Sequence, residues 1–223
     1  VAENFVAYHG PDAAALAHTD STGALNGLLW GKLSGPLAGY LGAGYTVAAP
    51  GLGERYRSLV NALGGGVELG NPTLQPERKT EWHAGLSWEQ PGLTGSIEAF
   101  QAEADDYIQR EWIAEGPRIY SFANRDARFR GLLATFELRS DNGTSASSWR
   151  VPLEFEALEG FDRSRGRRLP GIPPWSASLG LVRSEVDWEW LADRVQLSLY
   201  ARYTASRSNP QPEVNPLFQD TEA

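Results

Sequence analysis

A chain of 223 residues with 41% hydrophobic residues, 24 glycines and eight each of Trp, Tyr and Phe has the composition of a turn-rich all-β protein rather than a helical one. Its net charge of −8 argues against a nucleic-acid partner, which requires a basic footprint, and the absence of Cys removes disulfides and thiolate metal sites. Mean hydropathy is −0.38, and no window approaches the roughly 18 consecutive apolar residues of a membrane helix. A membrane barrel stays open, because alternating lipid-facing and lumen-facing residues keep the average hydropathy low.

In chain order, nine segments read as strands: Asn4–Tyr8, Leu25–Leu33, Leu37–Ala48, Thr80–Glu89, Thr94–Arg110, Ala127–Ser140, Ser148–Phe161, Trp175–Val186 and Val195–Ser206. Several have the length, roughly 9–11 residues, that crosses a bilayer at a tilt. The Thr80–Glu89 segment alternates most cleanly: Trp82, Ala84, Leu86 and Trp88 against His83, Gly85, Ser87 and Glu89. Such alternation gives one apolar and one polar face, with tryptophans near the ends of the apolar one. Val151, Leu153, Phe155 and Ala157, and likewise Val195, Leu197, Leu199, Ala201 and Tyr203, repeat the pattern. The expected assignment puts Trp82, Ala84, Leu86, Trp88, Leu153, Phe155, Leu197 and Leu199 on the lipid face, and His83, Glu154, Glu156 and Arg202 on the lumen face.

The connections alternate too. Short turns fall at Ser34-Gly35-Pro36 and Gln90-Pro91-Gly92, and slightly longer ones near Asp141-Asn142-Gly143 and at 187–194. Long polar or glycine-rich loops fill 10–24, 49–79, 111–126 and 162–174. An up-and-down meander then places all long loops at one end, the asymmetry of outer-membrane barrels, whose long loops are extracellular. The loop Asn71-Pro72-Thr73-Leu74-Gln75-Pro76-Glu77 stands out. Its two prolines each fix φ and restrict the residue before them, so it reads as a rigid loop ending in a carboxylate.

Four motifs in order resemble the barrel of TonB-dependent outer-membrane receptors. They are Gly44-Tyr45-Thr46-Val47-Ala48-Ala49-Pro50 with Glu54-Arg55-Tyr56; Asn71–Glu77, which matches the family's N-P-x-L-x-P-E loop; Phe100 followed by Asp105-Asp106-Tyr107-Ile108; and Tyr120-Ser121-Phe122-Ala123-Asn124 with Arg130-Gly131-Leu132-Leu133. Glu54-Arg55-Tyr56 and Gly70-Asn71-Pro72 look more like the copper-receptor branch than the siderophore branch. Leu133 departs from the pattern, standing where the family usually has an inward Glu. The resemblance implies that residues 1–223 are part of one β-barrel domain of about 22 strands, with the plug domain, TonB box and terminal strands outside this sequence. It also implies a TonB complex as partner through the plug, outer-membrane lipid around the wall, and a scarce metal species (an iron–siderophore, copper or similar chelate) as ligand. The lack of Met and the start at Val1 fit an internal piece of a longer chain.

Candidate chemistry is sparse. His9 and His18 share a loop and, as imidazoles, are potential ligands for a metal-bearing solute, as are Arg55 and Tyr56 by resemblance; no third metal ligand accompanies them, and no metal site or resident cofactor is expected. Asn71, Pro72, Leu74, Pro76, Glu77 and Gly131 read as structural motif residues. Arg163, Arg165, Arg167 and Arg168 form a basic loop suited to an anionic lipid or chelate. Asp105 and Asp106, adjacent in a strand, point to opposite faces and do not form an acid–base pair. No G-x-S-x-G elbow, P-loop, G-x-G-x-x-G or H-E-x-x-H occurs, so no enzyme is expected. The reading is a transmembrane antiparallel barrel segment of a TonB-dependent transporter; a passive porin and a soluble all-β binding module are the alternatives.

Overall fold

The computed structural model describes residues 19–61, 66–114, 119–140, 147–188 and 192–206. The elements are β1 (Gly23–Ser34), β2 (Leu37–Ala48), α1 (Leu52–Tyr56), β3 (Ser58–Asn61), β4 (Gly66–Leu69), β5 (Glu77–Gln90), β6 (Leu93–Ala114), β7 (Ile119–Arg139), β8 (Ser147–Asp162), β9 (Arg167–Arg168), β10 (Ser176–Trp188) and β11 (Ala192–Thr204). Eight of the nine expected strands are β1, β2, β5, β6, β7, β8, β10 and β11; the ninth, Asn4–Tyr8, lies outside the described residues, as do His9 and His18. The eight are hydrogen-bonded in chain order as an antiparallel meander, with β1 and β11 at the edges of an open sheet among the described residues.

The registers build two faces. One carries the rows Ala84–Ala99–Leu132–Ala157, Leu86–Ile97–Ala134–Phe155–Ala177–Tyr203 and Trp88–Gly95–Phe136–Leu153–Leu179–Ala201. The intervening rows, on the other face, run Gly85–Glu98–Leu133–Glu156–Ser176–Thr204 and Ser87–Ser96–Thr135–Glu154–Ser178–Arg202. Directly paired residues share a face, so the expected lipid and lumen sets separate without intermixing. The apolar rows are open to the surroundings, with Leu86, Leu132, Leu153 and Leu179 all at 37% exposure or more. Water does not tolerate so continuous an apolar sheet face; it is the wall of a membrane barrel.

On the polar face, bulky rings lie flat over glycines of the next strand. A Cβ at Gly131 would run into the Phe100 ring, and one at Gly85 into Tyr40. Such pairs leave room for the ring while covering the glycine backbone, which gives Gly131 its structural role. Phe100 also stacks on His83, with ring centroids 5.8 Å apart.

One expected loop is not a loop. Residues 111–126 are mostly strand, because β6 and β7 continue as a paired hairpin well past the ends of β5 and β8. A bulge between Ala104 and Tyr107 shifts the register by one residue and hides the continuation from a period-two reading. Asp106 sits in it at φ 58°, a left-handed conformation that Asp tolerates better than most side chains. Asp105 and Asp106 thus shape backbone rather than frame a substrate.

Candidate functional site

Among the described residues, the β2–β5 and β8–β10 connections emerge at the end of the sheet where this hairpin projects, and they close on it. The β2–β5 connection leaves Ala48, forms the single-turn α1 and the β3–β4 hairpin, and pairs β4 in parallel with β7 at Val67–Ile119 and Glu68–Tyr120. This uses the β7 edge left free where β8 stops at Asp162. Leu69, 1% exposed, anchors the contact against Tyr56, Val67 and Ile119. Arg110 binds Glu68 at 2.6 Å and lies 3.9 Å over the Tyr120 ring.

The Asn71–Glu77 loop then returns across the hairpin to β5. Its amides and side chains are satisfied one by one. Asn71 donates from Nδ2 to the Phe122 carbonyl at 2.8 Å, while its Oδ1 accepts from Thr73 N and Oγ1. Asn124 holds the Gln75 backbone reciprocally: Gln75 N–H donates to Asn124 Oδ1 at 2.9 Å, and Asn124 Nδ2 donates to Gln75 O at 3.0 Å and Asp106 O at 2.7 Å. Pro72 and Leu74 are buried. Glu77 accepts the Ile108 N–H at 3.3 Å, just beyond the bulge, so its carboxylate links loop to wall. Burial, then the charges of Glu77 and Glu54, push the Tyr107 hydroxyl above its usual pKa.

Beneath the loop lies Arg55, 5% exposed. Its guanidinium donates to both carboxylate oxygens of Asp20, Nη2 to Oδ1 at 3.0 Å, and from Nη2 to the Leu74 carbonyl at 3.0 Å. The Asp20 hydrogen bond holds its charge on even more firmly than usual. Tyr56, next to it, packs on Leu69. Gly70 lets the two stretches touch: a Cβ there would stand 2.5 Å from both the Arg55 carbonyl oxygen and the Tyr56 amide nitrogen. The expected site residues Arg55, Tyr56, Asn71, Pro72, Leu74, Pro76 and Glu77 are thereby brought together, and Gly131 lies apart on the wall.

The other face of the hairpin carries a second clasp that the sequence did not reveal. Glu111, 8% exposed, receives Arg125 through two bonds of 2.7 and 2.8 Å and Arg165 through one of 2.7 Å. Glu111 in turn raises the Arg125 pKa further. Asp162, fully buried, accepts the Arg165 amide at 3.0 Å, and Leu169 packs on Ala104 and Ala127 with Tyr107, Phe129 and Ile172 around it. Only the alternation within the hairpin, obscured by the bulge, signals that Glu111 and Arg125 share this face.

The sheet, its two faces and the clustered loops agree with one family. The profile described as "TonB dependent receptor-like, beta-barrel" matches residues 18–221. The chain belongs to the TonB-dependent receptor barrel family. Among solved structures the receptor barrel is similar to one named "Copper transporter OprC", with a TM-score of 0.59 and 19% identity over 80% of this chain. At that identity the likeness establishes fold alone. The chain spans 30% of that transporter's length. No curated protein matches.

In this receptor barrel the geometry around Glu77 supports a structural duty. Glu77→Ala is expected to lower the yield of assembled full-length receptor while the assembled fraction keeps its ligand affinity. Titration of correctly folded Glu77→Ala receptor checks this; a loss beyond about tenfold, ~1.4 kcal/mol, would show that the carboxylate meets ligand.

Proposed function

We propose that this chain is wall and external loops of an outer-membrane, TonB-dependent transporter that takes up a scarce metal species, either a copper species or an iron chelate. The observation that carries the outer-membrane reading is the pairing of continuous apolar rows on one face with glutamates, serines and glycines on the other. The likeness to a copper transporter and the closeness of Glu54-Arg55-Tyr56 to the copper-receptor branch favour metal as cargo. In the longer receptor a plug domain fills the lumen, ligand binds outside at loops and plug, and the TonB complex drives plug displacement. Residues 1–223 form one part of the barrel domain. His9, His18, Arg55 and Tyr56 are the candidate ligand contacts, and Arg55 also anchors the Asn71–Glu77 loop through Leu74. No step of this scheme calls on catalysis.

Isothermal titration of the full-length receptor, plug included, against copper salts, copper chelates, ferric siderophores and cobalamin tests the reading. Binding of one metal species, with uptake in cells lost on removing TonB, is the expected result. Absence of binding together with steady ion conductance in planar bilayers would replace the transporter with a passive porin.

A further inference from the structure

The β8–β10 connection turns inward, onto the lumen face of the wall it leaves. Toward the projecting hairpin, the rows of that face end in Glu81–Ala102–Phe129–Gly160 and Lys79–Ala104–Ala127–Asp162. Residues two apart in a strand share a face, so both rows point the same way as Glu98 and Glu156. Ala104 and Ala127, with Gly160 diagonal to them, form a shallow seat. Leu169, 2% exposed, fills it and covers both alanines completely. A Cβ at Gly160 would meet Ile172 Cγ1 at 2.8 Å and Leu169 Cδ1 at 3.1 Å. Both side chains therefore stand on the lumen side of β8.

The connection is tied to three strands. On β7, Arg163 N–H donates to Asp126 O at 2.7 Å, and Asp126 N–H donates to Ser164 Oγ at 2.8 Å. On β8, Asp162 Oδ1 accepts the Arg165 N–H at 3.0 Å and Gly160 O accepts the Leu169 N–H at 2.9 Å. On β6, Glu111 accepts from the Arg165 guanidinium at 2.7 Å. Gly166 and Gly171 hold φ of 66° and 75°, which other residues adopt only under strain, and Pro170, Pro173 and Pro174 fix φ at three further positions. Little backbone freedom is left to lose on seating, and lifting the stretch breaks contacts with all three strands at once. The lumen wall beside it is open by contrast, with the His83 and Glu98 side chains 31% and 39% exposed.

We propose that residues 163–174 form a permanent sill in the lumen mouth. The sill stays seated while the receptor works, closes the β6–β8 side, and leaves cargo the polar β2–β5 side around His83. The proposal rests on the transporter reading above, since only a receptor whose plug moves opens a route along the wall.

The test uses full-length receptor in intact cells, with and without TonB, and a membrane-impermeant maleimide as probe; this chain has no cysteine of its own. Ala127→Cys is expected to label slowly, at rates within about twofold in the two strains, because its position stays covered. His83→Cys is expected to label at least about threefold faster where TonB is present. Ala127→Cys/Leu169→Ala, with the seat emptied, is expected to label at least about tenfold faster than Ala127→Cys in either strain, which shows that the probe reaches the seat. In Ala104→Cys/Leu169→Cys, a disulfide joining sill to wall is expected to leave uptake of a ferric siderophore or a copper chelate at the level measured after reduction. That arm stands even where Ala127→Cys assembles poorly. Faster labelling of Ala127→Cys with TonB, equal labelling with and without Leu169→Ala, or uptake that falls with the disulfide and returns on reduction overturns the sill. Labelling of His83→Cys that ignores TonB while Ala127→Cys stays shielded overturns the route and the transporter reading beneath it, so the two failures are told apart.

Discussion

Gly70→Ala is expected to leave little correctly assembled receptor, at a cost of about 3 kcal/mol or more. The added methyl would meet backbone: the Arg55 carbonyl group and the Tyr56 amide nitrogen. Side-chain overlaps relax by rotamer changes, but this one requires α1 to move away from the loop. The hydrogen bonds Gly70 N–H to Arg57 O, 2.6 Å, and Asn71 N–H to Glu54 O, 2.7 Å, hold the two stretches together at that point, so separating them removes these as well. Gly53→Ala, in α1 itself, serves as the comparison. Its Cβ would touch only the end of the Arg57 side chain, at 3.1 Å, and helix propensity favours Ala by about 1 kcal/mol. The fraction of full-length receptor migrating as folded barrel without heating, and the denaturant midpoint of that fraction, should fall for Gly70→Ala and hold for Gly53→Ala. Equal behaviour of the two variants would show that the α1–loop contact is dispensable.

The contrast between those two glycines marks what the sequence makes legible. The wall was readable because lipid on one side and lumen on the other enforce a two-residue period: Trp82 to Trp88 and Leu153 to Ala157 carry it openly. The Asn71–Glu77 loop was readable because proline limits φ whatever surrounds it. Past the bulge at Asp106 neither rule applies. The hairpin there is covered on both sides, by Glu68 and Gln75 on one face and by Arg165 and Leu169 on the other, so its residues follow no lipid–water alternation and pass for loop. Short β3, β4 and β9 escape for a related reason. β4 and β9 pair where the hairpin and the end of β8 offer free edges, and β3 pairs on β4, a condition set by distant strands. The partners of the site are likewise remote in sequence: Gln75 and Asn124 are 49 residues apart, Glu111 and Arg165 54. Spacing alone does not join them.

Arg55 and Asp20, 35 residues apart, give the sharpest case. The resemblance makes Arg55 a candidate ligand contact; its bonds to Asp20 and the Leu74 carbonyl also place it as a bolt under the Asn71–Glu77 loop. With side-chain exposures of 6% and 15%, both charges have lost most of their water, and each relies on the other. Arg55→Ala is therefore expected to destabilise the assembled receptor by about 3–5 kcal/mol, since it leaves the Asp20 carboxylate half-buried and the Leu74 carbonyl without its donor. Replacing both partners, as Arg55→Met with Asp20→Leu, removes the stranded charge along with the pair and should recover a good part of that loss. A double-mutant cycle on denaturant midpoints is expected to give a coupling above about 1 kcal/mol. The same variants decide between bolt and ligand contact. If Arg55 holds the loops, assembled Arg55→Met/Asp20→Leu receptor keeps its affinity for metal chelate while its stability changes. If the guanidinium meets ligand, restoring stability leaves affinity at least about tenfold low, and Arg55 then belongs to the binding surface.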